Sequence, residues 1–428
     1  MPTPQTPLAQ RHAPRWHRLT GPLRARLAAL LGALALALVA IAFARGGEMA
    51  QSAFLGFYHR WPWLTLPLTP AVFMLVVWAT RRAAPLARGS GIPQVMAAGH
   101  KPASTRAAAL LSLPTAAAKF TLTLAVLLAG GSAGREGPTV QISAAVMAAV
   151  HRLLRVPVSA GVVIAGGAAG VAAAFNTPLA GVAFAIEELA SAFEQKVAVM
   201  VMATVMVAGL VSLGLSGDYV YFGVMSTGIP VSTMLVAAPL AGLTGGVAGG
   251  LFARALVVLA WSRAPLIARI KARPVLLAGV CGLVVAITGL ASHGLSWGTG
   301  YDTTRALLSG QPAPLAFGPA KFISTLATAL SGAPGGIFAP SLSVGAGLGQ
   351  ALGLLFAGSA SGAIVLLGIV GYFAGVVRAP LTAVMIVTEM TADRSMILPL
   401  FATALIADWT SARLCRPKLY HALSLAFR

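Results

Sequence analysis

Long apolar runs organise the chain, and polar residues interrupt them only briefly. The first run, Leu27 to Ala44, holds 18 residues without a charge between Arg26 and Arg45. A helix needs roughly 20 apolar residues to cross a hydrocarbon core about 30 Å thick. Apolar stretches then follow almost continuously to Trp409. Many are too short for one straight crossing, or are broken by Gly and Pro, of which there are 47 and 27. Irregular backbone at membrane depth is tolerated only where protein buries it or it lines a watery path. The pattern predicts an all-α polytopic membrane protein of tilted, broken helices, a build that transporters use. Ala42-Phe43-Ala44 resembles a signal-peptide cleavage site. The polar region before it is long and everything after it also favours lipid, so the run reads as a span.

Composition agrees with that pattern. Hydrophobic residues make up 57% of the 428 and charged residues 9%, against about 25% charged in a soluble domain. The net charge of +20 raises the question of nucleic acid. The basic residues sit in short loops and in the N-terminal segment (Arg11, Arg15, Arg18, Arg24, Arg26), as the positive-inside rule requires, so no nucleic-acid partner is expected and the N-terminus is placed in the cytoplasm. Cys281 and Cys415 imply no disulfide framework, and their contexts show no metal-ligand spacing.

The chain repeats itself. Ala118-Lys119-Phe120 recurs as Ala320-Lys321-Phe322, and Gly134 to Pro138 recurs in frame as Gly336 to Pro340. Pro178-Leu179, with Val182 and Glu187, recurs as Pro380-Leu381, with Val384 and Glu389. The offset is 202 throughout; a weaker echo pairs Gly89-Ser90-Gly91 with Gly298-Thr299-Gly300 at 209. Residues 81–106 carry Arg81, Arg82, Arg88, Lys101 and Arg106 and no acid, whereas residues 291–318 carry only Asp302 and Arg305. Equivalent loops therefore belong on opposite faces. This predicts two inverted-topology repeats with the substrate near the midplane at their interface. The expected organisation is a cytoplasmic tail over 1–21, a first membrane repeat over 22–216, a second over 217–410 and a C-terminal segment over 411–428.

Three Gly-rich segments interrupt the apolar runs. They are Gly89-Ser90-Gly91-Ile92-Pro93, Gly134-Arg135-Glu136-Gly137-Pro138, and Gly335-Gly336-Ile337-Phe338-Ala339-Pro340. Gly leaves the backbone unhindered and Pro suits a first helical turn, so each reads as a helix N-terminus inside the membrane. Free N–H groups and partial positive charge there suit an anion. Several such ends converging would hold it without a full countercharge, so that it can leave again. Glu136 lies inside the second segment. A carboxylate there competes with a free anion, and a protonated one loses its reason to stay, which makes Glu136 a candidate gate linking proton arrival to anion entry. The plainer alternative is a surface ion pair between Glu136 and the adjacent Arg135, which the apolar flanks disfavour.

Glu187 and Glu188 close the run from Leu179 to Ile186 in a chain with only ten acids. Adjacent helical residues point about 100° apart, so the two suit different roles. One suits a proton relay and the other a structural role, capping or pairing like its mate Glu389; the plainer alternative is that both are structural. An acid–base enzyme site would need a nucleophile or metal ligand beside them, and none is there. No His-Glu-x-x-His, Gly-x-Ser-x-Gly or phosphate-binding loop occurs, so no enzymatic chemistry and no cofactor are expected.

These motifs resemble the CLC family of chloride channels and chloride/proton antiporters. The segments that carry the resemblance are GSGIP (89–93), GREGPTVQ (134–141), AAAFNTPLAG (172–181), AIEEL (185–189), SGAPGGIFAP (331–340) and RAPLTAVMIVTEMT (378–391), in family order over almost the whole chain. The resemblance implies a homodimer in the cell (inner) membrane with one ion path per subunit and both termini cytoplasmic. It implies Ser90 as inner chloride ligand, backbone N–H groups of Ile337 and Phe338 at the central chloride, and Tyr420 as a hydroxyl ligand. Glu136 would be the external gating glutamate and Glu188 the internal proton-transfer glutamate. Lys119, Arg135, Glu187 and Glu389 fall to supporting roles. Gln94 stands where the family often has Glu, and Lys418 is an extra residue before Leu419-Tyr420. Ser90 and Pro138 are unaltered, unlike in nitrate- or fluoride-preferring relatives, which favours chloride. An acid at 188 favours antiport over a passive channel on the same fold. No cytoplasmic CBS domains are expected, which fits a bacterial type.

Overall fold

The computed structural model describes residues 16–189, 195–217, 220–224, 229–356 and 361–428. Residues 1–15, most of the expected cytoplasmic tail, lie outside the described residues. Apart from one isolated antiparallel bridge, the described chain consists of helices and their connections. That is what lipid demands, because a helix satisfies its own backbone polar groups.

The first helix, Trp16–Arg60, is longer than the apolar run that predicts it. It begins inside the expected tail and runs on through Gly46, Gly47 and Glu48. At 1.5 Å per residue its 45 residues span about 67 Å, more than twice a hydrocarbon core. The extension is held by the protein: Phe54 is buried, and Gly46 and Gly47 bring the backbone against Leu124, Leu127 and Arg135.

Among the described residues five helices are long and apolar enough to cross a membrane: within the first helix Leu23–Arg60, then Pro62–Ala83, Ala198–Leu215, Val231–Trp261 and Pro274–Ala291. The shorter apolar helices Leu113–Leu128, Ala160–Phe175, Gly362–Val377 and Pro380–Thr391 are the broken pieces anticipated from Gly and Pro. Ala160–Phe175 and Gly362–Val377 are apolar on every face and buried along nearly their whole length, so they form the centres of the two halves. Small residues let them pack closely. Gly245 and Gly249 of the helix Val231–Trp261 lie directly on the backbone of Gly371–Tyr372 and Gly375–Val376.

The two halves have inverted topology, and the repeat is visible in the helix starts. Glu136 and Phe338 begin helices at the offset of 202, as do Pro178 and Pro380. Ile92 and Tyr301 begin short helices at the offset of 209. The bridge joins Gly134 to its own mate Gly336. Each donates its N–H to the other's carbonyl, at 2.8 and 2.7 Å. A reciprocal pair between equivalent residues marks the point where the halves meet.

Candidate functional site

Three helix starts surround that point: Ile92–His100, Glu136–Leu153 and Phe338–Gly353. Each carries Pro in its first turn, at Pro93, Pro138 and Pro340. The turn before the first needs glycine. Gly91 sits at φ +112°, and a Cβ on it would lie 2.6 Å from the Gly137 carbonyl oxygen. Gly336 is also confined, since a Cβ there would lie 3.0 Å from both Gly134 O and Gly137 N. Gly89, at φ +64°, opens the Ser90 turn.

Ser90 lies against Gly137, on which an added Cβ would collide with the Ser90 hydroxyl. Tyr420 is fully buried, and its hydroxyl approaches that of Ser90. Neither hydroxyl makes a hydrogen bond of good geometry within the protein. Ser90, Gly336, Ile337 and Tyr420 line a cavity of about 430 Å³, which exposed Arg81 and Arg88 also line. Ile337 precedes the helix that Phe338 begins, and Phe338 is held by rings on several sides. Its centroid lies 4.9 Å from Phe373, 5.9 Å from Phe184 and 6.0 Å from Tyr420. The corresponding loop of the second half is closed off. Thr299, the counterpart of Ser90, donates through both its N–H and its hydroxyl to Gln51 Oε1, at 3.1 and 3.2 Å.

Glu136 is completely buried. Its Oε1 accepts a 2.6 Å hydrogen bond from the Tyr301 hydroxyl, while Oε2 has no hydrogen-bond partner. A Cβ on Gly134 would meet Oε2 and, 3.2 Å away, the Ala339 nitrogen. The carboxylate of one repeat therefore lies by the helix start of the other. Arg135 is also buried and turns away from the site. It donates to Ala44 O, to Glu48 Oε1 at 2.9 Å and to the Tyr221 hydroxyl. Its carboxylate partner Glu48 is exposed, so this is an ion pair with one buried end.

The two adjacent glutamates part company. Glu187 accepts from Leu381 N–H, Thr382 N–H and the Thr382 hydroxyl, at 3.2, 2.7 and 2.8 Å. Its mate Glu389 accepts from Leu179 N–H and Ala180 N–H, at 3.0 and 2.7 Å. Glu188 is 5% exposed, and neither of its carboxylate oxygens has a hydrogen-bond partner. It lies in a π-helical turn, Ala185–Leu189, a feature often found at functional sites. Tyr420 is within electrostatic range of both Glu136 and Glu188.

Lys119 is fully buried without a carboxylate. Its ammonium donates to Arg88 O and Gly89 O, at 3.3 and 2.7 Å. Lys321 does the same in the second half, to Ser296 O, Trp297 O and Gly298 O. Gln94 donates to Leu86 O and Arg88 O, and so braces the same Ser90 turn. Sequence reasoning missed Tyr301 and Gln51. Tyr301 had a signal, since it directly follows the echo Gly298-Thr299-Gly300. Gln51 had none, because it lies beyond the apolar run from which the first helix was read. Among the described residues no three His, Cys, Asp or Glu side chains gather to hold a metal.

Inverted helical halves with broken helices meeting at a buried point define a membrane ion transporter of the inverted-repeat class. The chain belongs to the voltage gated chloride channel family, which matches residues 72–412. It is 31% identical over 431 residues to the H(+)/Cl(-) exchange transporter ClcA of Yersinia pestis bv. Antiqua (strain Angola), covering 93% of this chain and 86% of that protein. It is 32% identical over 422 residues to the same transporter of Klebsiella pneumoniae (strain 342), covering 92% and 86%. Among solved structures it resembles a slow cyanobacterial Cl-/H+ antiporter, with TM-score 0.79, 25% identity and coverage of 94% and 97%. A CLC-type fluoride/proton antiporter shares the fold at TM-score 0.79 and 21% identity, over 93% and 96%.

Proposed function

We propose that this protein exchanges chloride for protons across a cell membrane, with Glu136 as the gate. One observation carries the reading: the buried Glu136 carboxylate lies where helix starts from both repeats converge, with one oxygen free of any hydrogen bond. Such ends present N–H groups and about half a positive charge each. They favour a carboxylate or a chloride ion alike. With Glu136 ionised, its own carboxylate takes the place of the anion. A proton arriving on Oε2 cancels the charge, and the side chain yields to chloride. Ser90, Tyr420 and the N–H groups of Ile337 and Phe338 then hold the ion with partial charges alone, which allows it to leave.

Glu188 supplies the inner proton step. It is a buried carboxyl with two unengaged oxygens, with Tyr420 between its field and that of Glu136. A passive channel would have no use for that buried acid, and the curated relatives are named exchange transporters. The membrane is the cell (inner) membrane, with both termini cytoplasmic and the Arg81–Arg106 loops on the inner face. The working unit is a homodimer. The exposed apolar stripe Val199, Met202, Met206, Leu210 and Leu213 supports a face that meets lipid or a second copy.

The test is reconstitution into liposomes. An imposed chloride gradient should drive protons uphill, and Glu136→Ala should still pass chloride while proton movement stops. Chloride flux without proton movement in the unaltered protein would make it a channel. Proton pumping that survives Glu136→Ala would remove Glu136 from the gate.

A further inference from the structure

We propose that Tyr301 is the latch of the gate, a positioning residue whose hydroxyl decides how well Glu136 competes with chloride. The inference rests on Glu136 being the gate. The Tyr301 hydroxyl donates to Glu136 Oε1 at 2.6 Å, and both side chains are buried. Among the described residues this is the one hydrogen bond on the carboxylate, and Oε2 has no partner. A buried, charge-assisted hydrogen bond is stronger than a neutral one and costly to lose.

The ring behind the hydroxyl is fixed. Tyr301 is the first residue of the helix Tyr301–Leu308, directly after Gly300 at φ +84°. Its ring lies 4.7 Å from Tyr221 and 5.9 Å from Phe222. Tyr221 is itself gripped twice. Its hydroxyl accepts from Arg135, and its carbonyl accepts from Arg305 Nη2 at 2.6 Å. A hydroxyl on so restrained a ring is directed at one position, and Glu136 occupies it.

The repeat shows that the latch is an addition to the shared backbone. The counterpart of Tyr301 is Ile92, and the counterpart of Glu136 is Phe338. Both are fully buried and apolar. The equivalent contact position in the other half can neither donate nor ionise. The halves share their helix starts, and only one carries a donor paired with an acid. When Glu136 is protonated, the same hydroxyl faces a neutral and weaker acceptor. The latch thus holds the ionised gate shut and releases the neutral one.

The experiment is a double-mutant cycle read by calorimetric chloride binding to the purified protein, with Tyr301→Phe and Glu136→Ala alone and combined. Tyr301→Phe removes one oxygen and keeps the ring in its aromatic cluster. Chloride should bind about tenfold more tightly to Tyr301→Phe, because its internal competitor is no longer held. In the Glu136→Ala background the same change should have no effect. An equal change in both backgrounds, or none in either, would overturn the latch. Proton coupling that persists in Glu136→Ala would instead remove the gate on which the latch depends, so the two failures are distinguishable.

Discussion

Glu187 and Glu389 each cap the helix that carries or leads to the other. The Glu187 carboxylate receives the first N–H groups of Pro380–Thr391, the helix on which Glu389 stands. Glu389 receives those of Pro178–Phe184, the helix that runs into Glu187. Anionic caps satisfy orphan donors and also meet the positive helix end. Replacing such a cap by Ala costs about 1–2 kcal/mol. Glu187→Ala and Glu389→Ala should therefore lower the unfolding temperature in detergent by similar amounts. The double variant should lose less than the two losses together, since the pair braces one joint. The chloride-to-proton ratio of the surviving transport should not change. A variant of Glu187 that lost coupling at full stability would contradict the capping role.

Lys119 and Lys321 give a second matched pair with unequal consequences. Each places a buried ammonium on the carbonyls of a Gly-rich turn. Replacement by Met strands those carbonyls, at a cost of about 3 kcal/mol for each lysine. Thermal unfolding should show both losses. Of the two lysines, Lys119 supports the turn that carries Ser90, whereas the turn over Lys321 is already closed by Gln51. Lys119→Met should therefore also weaken chloride binding, measured by calorimetry, and Lys321→Met should leave it within about twofold. Equal chloride defects would mean that both lysines act only through overall packing.

Gly137 tests how tightly the Ser90 site is built. An added methyl would collide with the Ser90 hydroxyl and lie 3.3 Å from the Gly336 Cα. The Ser90 carbonyl oxygen, 3.2 Å away, and the Gly336 Cα are backbone and cannot swing away, so the hydroxyl would have to turn from its place. Gly137→Ala should weaken chloride binding about tenfold or more while the helices stay formed by circular dichroism. Unchanged affinity would show that the Ser90 hydroxyl is free to move and does not define the site.

Much of this architecture was legible in the sequence because it is written in glycine, proline and repeat spacing. Gly134 and Gly336 are equivalent in sequence and hydrogen-bonded in space. The motifs around them announced the helix starts at Glu136 and Phe338. What stayed hidden lay in pairings across the repeat. The spacing of Glu187 and Glu389 showed that they were mates, but not that each reaches the other's helix. Tyr301 follows the Gly298-Thr299-Gly300 echo, but the role of a phenol depends on what its hydroxyl meets. The first helix outran its apolar run because Gly46 and Gly47 pack against protein, and hydropathy cannot tell protein from lipid.

Glu188 is separated from Glu187 by one residue number and by its surroundings. Glu187 accepts three hydrogen bonds, so its carboxylate is committed to holding a helix. Glu188 is buried with both oxygens unengaged, and an ionisable group so placed is a candidate for function. Glu188→Gln keeps the shape and removes the titratable carboxyl. Chloride should still cross the liposome membrane at a comparable rate, while uphill proton movement falls to background, and the unfolding temperature should hold or rise. Glu187→Gln should do the reverse. An amide oxygen is a weaker acceptor for the Leu381 and Thr382 N–H groups, so stability should fall by about 1 kcal/mol, with coupling intact in the protein that remains folded. Flux and proton traces recorded together on both variants decide the assignment. If Glu188→Gln pumps protons normally, the inner proton site lies elsewhere and Glu188 is an unpaired structural acid.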